Sequence, residues 1–256
     1  MGLVHNEIDN RDIDIESIGI CNYKLPLTFV SMDEYGSIAN ISSNVFLDKS
    51  TKAAHLSRII EVLDTYVANK KLSIKDFEKI IYLISEKIKN NSVSLKIDFD
   101  IVVPTTTPKS NKITYLNSNI CLSGKLLDYT LNKSVSATAT GAMLCPNSKM
   151  ISKYGAHSQK CLMKSSLHGK IENILIEEFI KILFSQFSSE VYGLVKSVDE
   201  KFMTEKAYEN PKFSEDLVRD TLINLKKYYN GGLIETEIRN LESIHQHDVF
   251  CKGKTR

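Results

Sequence analysis

In LCPNSKMISKYGAHSQK, Leu144 to Lys160, Cys145 and His157 stand twelve positions apart with a Pro, two Lys and a Gly between them. Thiolate and imidazole both suit zinc or iron(II), and a catalytic metal asks for about three protein ligands and an open position. Two residues do not make a site, and a free cysteine is most often an inert core residue, so this spacing fits either a metal pair or a buried thiol beside a surface loop. In LESIHQHDVF, Glu242, His245 and His247 crowd three ligand-type or proton-transfer side chains into six residues. If that segment is extended, the two histidines share one face; a solvated polar stretch is the plain alternative. SVDEKFMTEKAYENP adds closely spaced acids. In HLSR, His55 and Arg58 sit one helical turn apart near a helix start, where backbone N–H groups and a cation can hold phosphate oxygens or form an ordinary surface pair.

The elements that position these residues follow from hydrophobic period. LPLTFV and GSIANISSNVFL are β-branched segments flanking the turn-like SMDEYG, which predicts a hairpin. The period then becomes helical, through Leu56, Ile59, Ile60, Leu63 and Val67, and again through Ile74, Phe77, Ile81, Ile84 and Ile88. Ser73 with Asp76 marks the second helix start. VSLKIDFDIVV alternates strictly and KITYLNSNICLSG follows, so the first half reads ββααββ. The second half restarts with KSVSATATGAMLCP and SQKCLMKSSLHGK as strands. Helices are predicted in IENILIEEFIKILFSQF and in NPKFSEDLVRDTLINLKKYYNGG, the latter capped at Asn210 with Pro211 in its first turn. LIETEIRNLESIHQHDVF looks extended. A boundary falls near 124–133, giving units 1–130 and 131–256.

Bulk composition narrows the class. The 256 residues are 42% hydrophobic and 25% charged, with 11 Gly and 5 Pro, as folded soluble domains are. Lys and Arg number 33 against 31 Asp and Glu, a net charge of +2, which argues against nucleic acid as a partner. The longest apolar run is too short for a membrane span, MGLVHNEIDN lacks a signal-peptide core, and Asn6 weakens a myristoylation signal at Gly2. Five scattered cysteines with no CxxC pair point to free thiols in a reducing, cytoplasmic compartment.

Taken together, AAHLSR, LCPNSK, YGAHSQ, VDEKFMTEKAYENPKFSEDLVRD and ESIHQHD resemble the type IB GTP cyclohydrolase I family, in order and over nearly the whole chain. The opening DIDIESIGICNYKLPLTF is similar as well. The resemblance implies an α+β tunnelling fold, with two tandem ββααββ units per chain whose antiparallel sheets form a barrel on oligomerisation, as a homotetramer. It implies hydrolysis of GTP to 7,8-dihydroneopterin triphosphate and formate, the first step toward folate-type pterins, by a hydrolase acting on cyclic amidine C–N bonds. By the same resemblance Cys145, His157 and Glu200 are metal ligands for Zn, Mn or Fe(II). His245 stands at the metal as ligand or proton carrier with Glu242 beside it, and Glu215 anchors the guanine ring. His55 and Arg58 hold the triphosphate. Where many relatives carry a second Cys this chain has Asn147, and HLSR replaces the commoner HMSR. Two other functions compete: an NADPH-dependent nitrile reductase of the same superfamily with Cys145 as nucleophile, and an inactive assembly protein. The coexistence of His157 with ESIHQHD speaks against the first, and the full Cys145, His157, Glu200 and His245 set against the second.

Overall fold

The computed structural model describes residues 8–256, so Gly2 and the first seven positions of MGLVHNEIDN lie outside the described residues. Strands β1 (Ile15–Val30) and β2 (Glu34–Leu47) lead to helix α1 (Leu56–Tyr66), the short β3 (Lys71–Leu72) and α2 (Ile74–Ile88). Then come β4 (Ser92–Thr106), β5 (Ile113–Leu127), β6 (Thr130–Leu144), α3 (Pro146–Ile151) and β7 (Ser158–His168). The remainder is α4 (Ile176–Phe184), β8 (Ser189–Glu190), α5 (Ser197–Glu209), α6 (Ser214–Tyr228), β9 (Ile234–Leu241) and β10 (Val249–Thr255).

The strands form a mixed sheet of ten, hydrogen-bonded in the order β10-β9-β7-β6-β5-β4-β2-β1-β3, with β8 added on β6. β3 runs parallel to β1, whereas β1/β2, β2/β4, β7/β9 and β9/β10 are antiparallel. Two compact units share the chain: Met1–Asp100 with Cys121–Val135 and Lys170–Ile174, and Ile101–Ile120 with Ser136–Gly169 and Leu175–Arg256.

In the first unit the helical period becomes the buried face. Ile59, Leu63 and Val67 are fully buried, as are Phe77, Ile81 and Ile84 of α2. Phe29 of β1 and Phe99 of β4 are buried as well, with their rings 4.9 Å apart. β5 carries Gly124 where Ile81 and Phe77 press closest, leaving no room for a side chain. The Asp76 carboxylate accepts from Ser73 N–H (2.8 Å) and from the Ser73 hydroxyl (2.6 Å), so the expected start signature of α2 holds with Asp as partner. Lys133 pairs with both Glu78 and Glu172, tying α2 to segment 170–174. The β5–β6 turn is made by Asp128 (φ 44°) and Tyr129 (φ 64°), both in the left-handed region that Gly favours in such hairpins.

The second unit departs from expectation in three places. SVDEKFMTEKAYE forms helix α5, which carries no continuous apolar stripe and so shows no helical period in its sequence. Asn210 does not cap α6: it closes α5, and its amide donates to Phe187 O (3.2 Å) and Ser188 O (3.3 Å). α6 begins after Phe213, whose N–H donates to Asp216 (3.1 Å). Finally, the C-terminal segment is extended only to Leu241. Residues 242–248 form an irregular loop before β10, because this run carries a single apolar side chain, the exposed Ile244, and so has no apolar alternation to bury.

Candidate active site around Cys145 and His157

Cys145 directly follows the last residue of strand β6, Leu144, which is anchored through both its N–H and its C=O. Leu144 N–H donates to Ser188 Oγ (3.2 Å), and Leu144 O accepts from Lys212 N–H (3.1 Å). Cys145 caps α3, with Pro146 in the first helical turn, a position where its missing N–H costs nothing. The Cys145 sulfur accepts from Ser148 N–H (3.4 Å), and Ser148 Oγ accepts from His157 N–H (3.2 Å). Cys145 N–H donates to His157 O (3.2 Å), so loop 145–157 closes on itself and sets the two residues side by side. Lys149 holds α3 against the end of α5: its ammonium donates to Tyr208 O (2.6 Å) and sits 4.4 Å from the Tyr208 ring centroid.

The His157 ring is half-buried and engaged on one side. Its Nδ1 lies 3.1 Å from Gln159 Oε1 and 3.3 Å from Ser243 Oγ. Gln159 Nε2 in turn donates to Glu242 Oε1 (3.2 Å). Glu242 therefore belongs to the His157 neighbourhood through Gln159. Nothing in residue type marks Ser148, Gln159 or Ser243 in the sequence, although Gln159 follows His157 at the two-residue period that puts neighbours on one face of a strand.

Glu200 is exposed on α5. What positions it is its neighbour Asp199, a fully buried carboxylate. Asp199 accepts from Lys109 N–H (2.9 Å), Ser110 N–H (2.9 Å), the Ser110 hydroxyl and Lys196 N–H (3.1 Å). Burial works to raise its pKa, but these donors together hold the carboxyl well below the usual carboxylate range. Loop 107–112 is thereby latched to the start of α5. A groove of about 550 Å³ runs between α5 and the Cys145–His157 loop, lined by Leu144, Tyr154, Ala156, Met203, Thr204 and Tyr208. Glu200 precedes Met203 and Thr204 by one turn of α5 and is not itself among the residues that line the groove.

His245 and His247 are both exposed, with their rings stacked at 5.1 Å in loop 242–248. Among the described residues, no three His, Cys, Asp or Glu side chains converge as a metal-holding group. The structure thus brings Cys145, His157 and Glu242 into one hydrogen-bonded neighbourhood and leaves Glu200 and His245 outside that network. Glu215 is exposed in the first turn of α6, where it and burial, burial foremost, raise the Cys251 thiol. Burial, with Glu242 adding to it, pushes the Cys161 thiol up to about 12, which keeps Cys161 an inert core residue. In the first unit, His55 is the residue before α1, Arg58 N–H donates to His55 O (3.0 Å), and His55 lines a cavity of about 240 Å³ with Leu56, Ile59, Lys89 and Asn90.

Fold and site define an α+β chain of the uricase fold bearing a closed Cys–His loop. Uricase from Arthrobacter globiformis superposes with a TM-score of 0.60, covering 93% of this chain and 92% of that one at 5% identity. The family model for type I GTP cyclohydrolase folE2 matches residues 1–251. GTP cyclohydrolase FolE2 of Citrifermentans bemidjiense is 34% identical, covering 95% of this chain and 90% of that protein. Those of Fervidobacterium nodosum (32%; 97% and 95% covered) and of a serogroup C Neisseria meningitidis strain (33%; 97% and 83% covered) are similar too. The chain belongs to the type I GTP cyclohydrolase FolE2 family. No helix among the described residues is long and apolar enough to cross a membrane.

Proposed function

We propose that this chain is a GTP cyclohydrolase that converts GTP to 7,8-dihydroneopterin triphosphate and formate in the cytoplasm, as the first step toward folate-type pterins. The observation that carries the reading is the family match across residues 1–251 together with a loop that holds Cys145 against His157. The donor chemistry there fits a divalent metal. The Cys145 sulfur accepts a single backbone N–H, and His157 is engaged at Nδ1, leaving Nε2 for a ligand bond. Cys145, His157 and Glu200 would hold Zn, Mn or Fe(II), with His245 as a fourth ligand or proton carrier. The bound metal supplies a Lewis acid that makes water a nucleophile near neutral pH.

The remaining roles belong to the protein. Glu215 accepts N–H bonds from guanine and fixes the ring so that C8 meets the attacking water, and Glu242 belongs to the substrate site beside His245. His55 and Arg58 hold the triphosphate. His245 carries protons through two hydrolyses, the first opening the imidazole ring and the second releasing formate, before the ribose carbons close the pterin; imidazole suits this because it changes charge nearest neutral pH. The tunnelling fold, with tandem units 1–130 and 131–256, gives the architecture. It is supported by the order β1-β2-α1-α2-β4-β5 followed by β6-β7, helices and β9-β10. Barrel closure then makes a homotetramer.

The test is GTP turnover by metal-stripped protein supplemented with Zn, Mn or Fe(II), followed by pterin fluorescence after oxidation. Metal-dependent pterin is expected, and Cys145→Ala is expected to lose at least about 100-fold, more than a residue supporting a ligand would cost. NADPH consumption without pterin would replace this reading with nitrile reduction.

A further inference from the structure

Glu242 does not touch His157, yet it dictates how the imidazole is protonated. A carboxylate only accepts hydrogen bonds, so Gln159 must turn Nε2 toward Glu242 Oε1, 3.2 Å away. The carboxamide is planar, and its oxygen then faces the opposite direction, 3.1 Å from His157 Nδ1. That oxygen also only accepts, so Nδ1 carries the ring proton. Ser243 Oγ, 3.3 Å from the same nitrogen, can either accept or donate and imposes no choice of its own. A neutral ring protonated at Nδ1 presents its lone pair at Nε2.

We propose that Gln159 is a positioning residue that transmits the orientation imposed by Glu242 to His157 and locks the imidazole in the Nδ1–H form, with Nε2 poised as a ligand. The tautomer stands on the contacts alone, and its use in holding a metal rests on the cyclohydrolase reading. Gln159 is held on both sides and is half-buried at the start of β7, where amide reorientation is opposed by two partners at once. Outer partners of this kind fix the tautomer and ring orientation of metal-binding histidines, and their loss typically weakens metal affinity by about 10–100-fold.

The experiment uses metal-free full-length protein with ¹⁵N-labelled histidine, in which long-range ¹⁵N–¹H correlations report the protonated nitrogen of each ring. His157→Gln supplies the assignment. Wild type is expected to show His157 with a protonated Nδ1 and a bare Nε2. In Gln159→Leu, the Nε2–H form should gain population. Glu242→Gln releases the amide orientation while leaving Gln159 in place, and should shift His157 in the same direction by less. Cobalt(II) titration of the same proteins, read by thiolate-to-metal absorption, should show about 10–100-fold weaker binding in Gln159→Leu. An Nε2–H tautomer in wild type, or an unchanged His157 spectrum in Gln159→Leu of native melting temperature, overturns the proposal. Pterin formation with an unmoved tautomer would sink this inference and leave the function standing. The expected tautomer without any pterin would do the reverse.

Discussion

Helices α2 and α5 belong to different units and are held by different forces. α2 buries Ile74, Phe77, Ile80, Ile81 and Ile84 on one face, and non-directional apolar burial is what keeps it on the sheet. α5 buries only Asp199 and Ala207. Its start is fixed by four donors converging on one carboxylate, and its end by the Lys149 bond to Tyr208 O. The contrast teaches a division of labour. Apolar packing tolerates small shifts, whereas converging hydrogen bonds demand particular positions, and α5, through Met203, Thr204 and Tyr208, lines the groove beside the Cys145–His157 loop.

Three substitutions probe that contrast, beginning with the largest effect. Phe77→Ala should cost about 3–5 kcal/mol of stability through lost burial and the cavity left behind, measured by the shift in urea midpoint at constant slope. A much smaller loss would mean that α2 is held by more than its apolar face.

Asp199→Asn should act differently. An amide cannot accept from all the donors that surround the carboxylate, so the melting temperature should fall at neutral pH. The native carboxyl is held below its ordinary value of about 3.9. Its stabilisation is therefore fully present above that value and lost as pH falls through the depressed native one. The gap in melting temperature between wild type and variant should stay constant above pH ~5 and narrow below pH ~4. A gap independent of pH in acid would remove Asp199 as the electrostatic anchor of α5.

The smallest effect is expected at the β5–β6 turn. Tyr129 is 77% exposed and adopts a backbone conformation that is unfavourable for a side chain carrying Cβ. Tyr129→Gly should stabilise the protein by about 1 kcal/mol, the relief of strain outweighing the added freedom of the unfolded chain. Thermal denaturation decides the sign, and a decrease would show that the exposed ring contributes packing the turn cannot lose.

Legibility in the sequence follows the same contrast. The first-half order and both of its helices were visible, because burial on a helix or strand repeats with a fixed period. In the second half, the early acids and late lysines of α6 are legible, yet the residue types point to a start at Asn210, whose amide binds Phe187 O and Ser188 O instead. α5 was invisible as a helix because it has no stripe to repeat. Around the site, Cys145, His157 and Glu242 stood out by residue type. Ser148, Gln159, Ser243 and Asp199 did not, since their roles come from partners up to 90 positions away, as between Lys109 and Asp199.

By itself, then, the sequence determined the α+β class, the pairing of the N-terminal strands, the two-helix layer over them, and the residue types that carry chemistry. These are consequences of local periodicity and of side-chain identity, both written in linear order. Only the tertiary structure decided which donor meets which acceptor: that Ser148 joins the Cys145 sulfur to His157, that Glu242 reaches the imidazole through Gln159, and that Asp199 sets the start of α5. Hydrogen bonds are short and directional, so such pairings exist only after the chain has folded and brought distant groups within about 3 Å of one another.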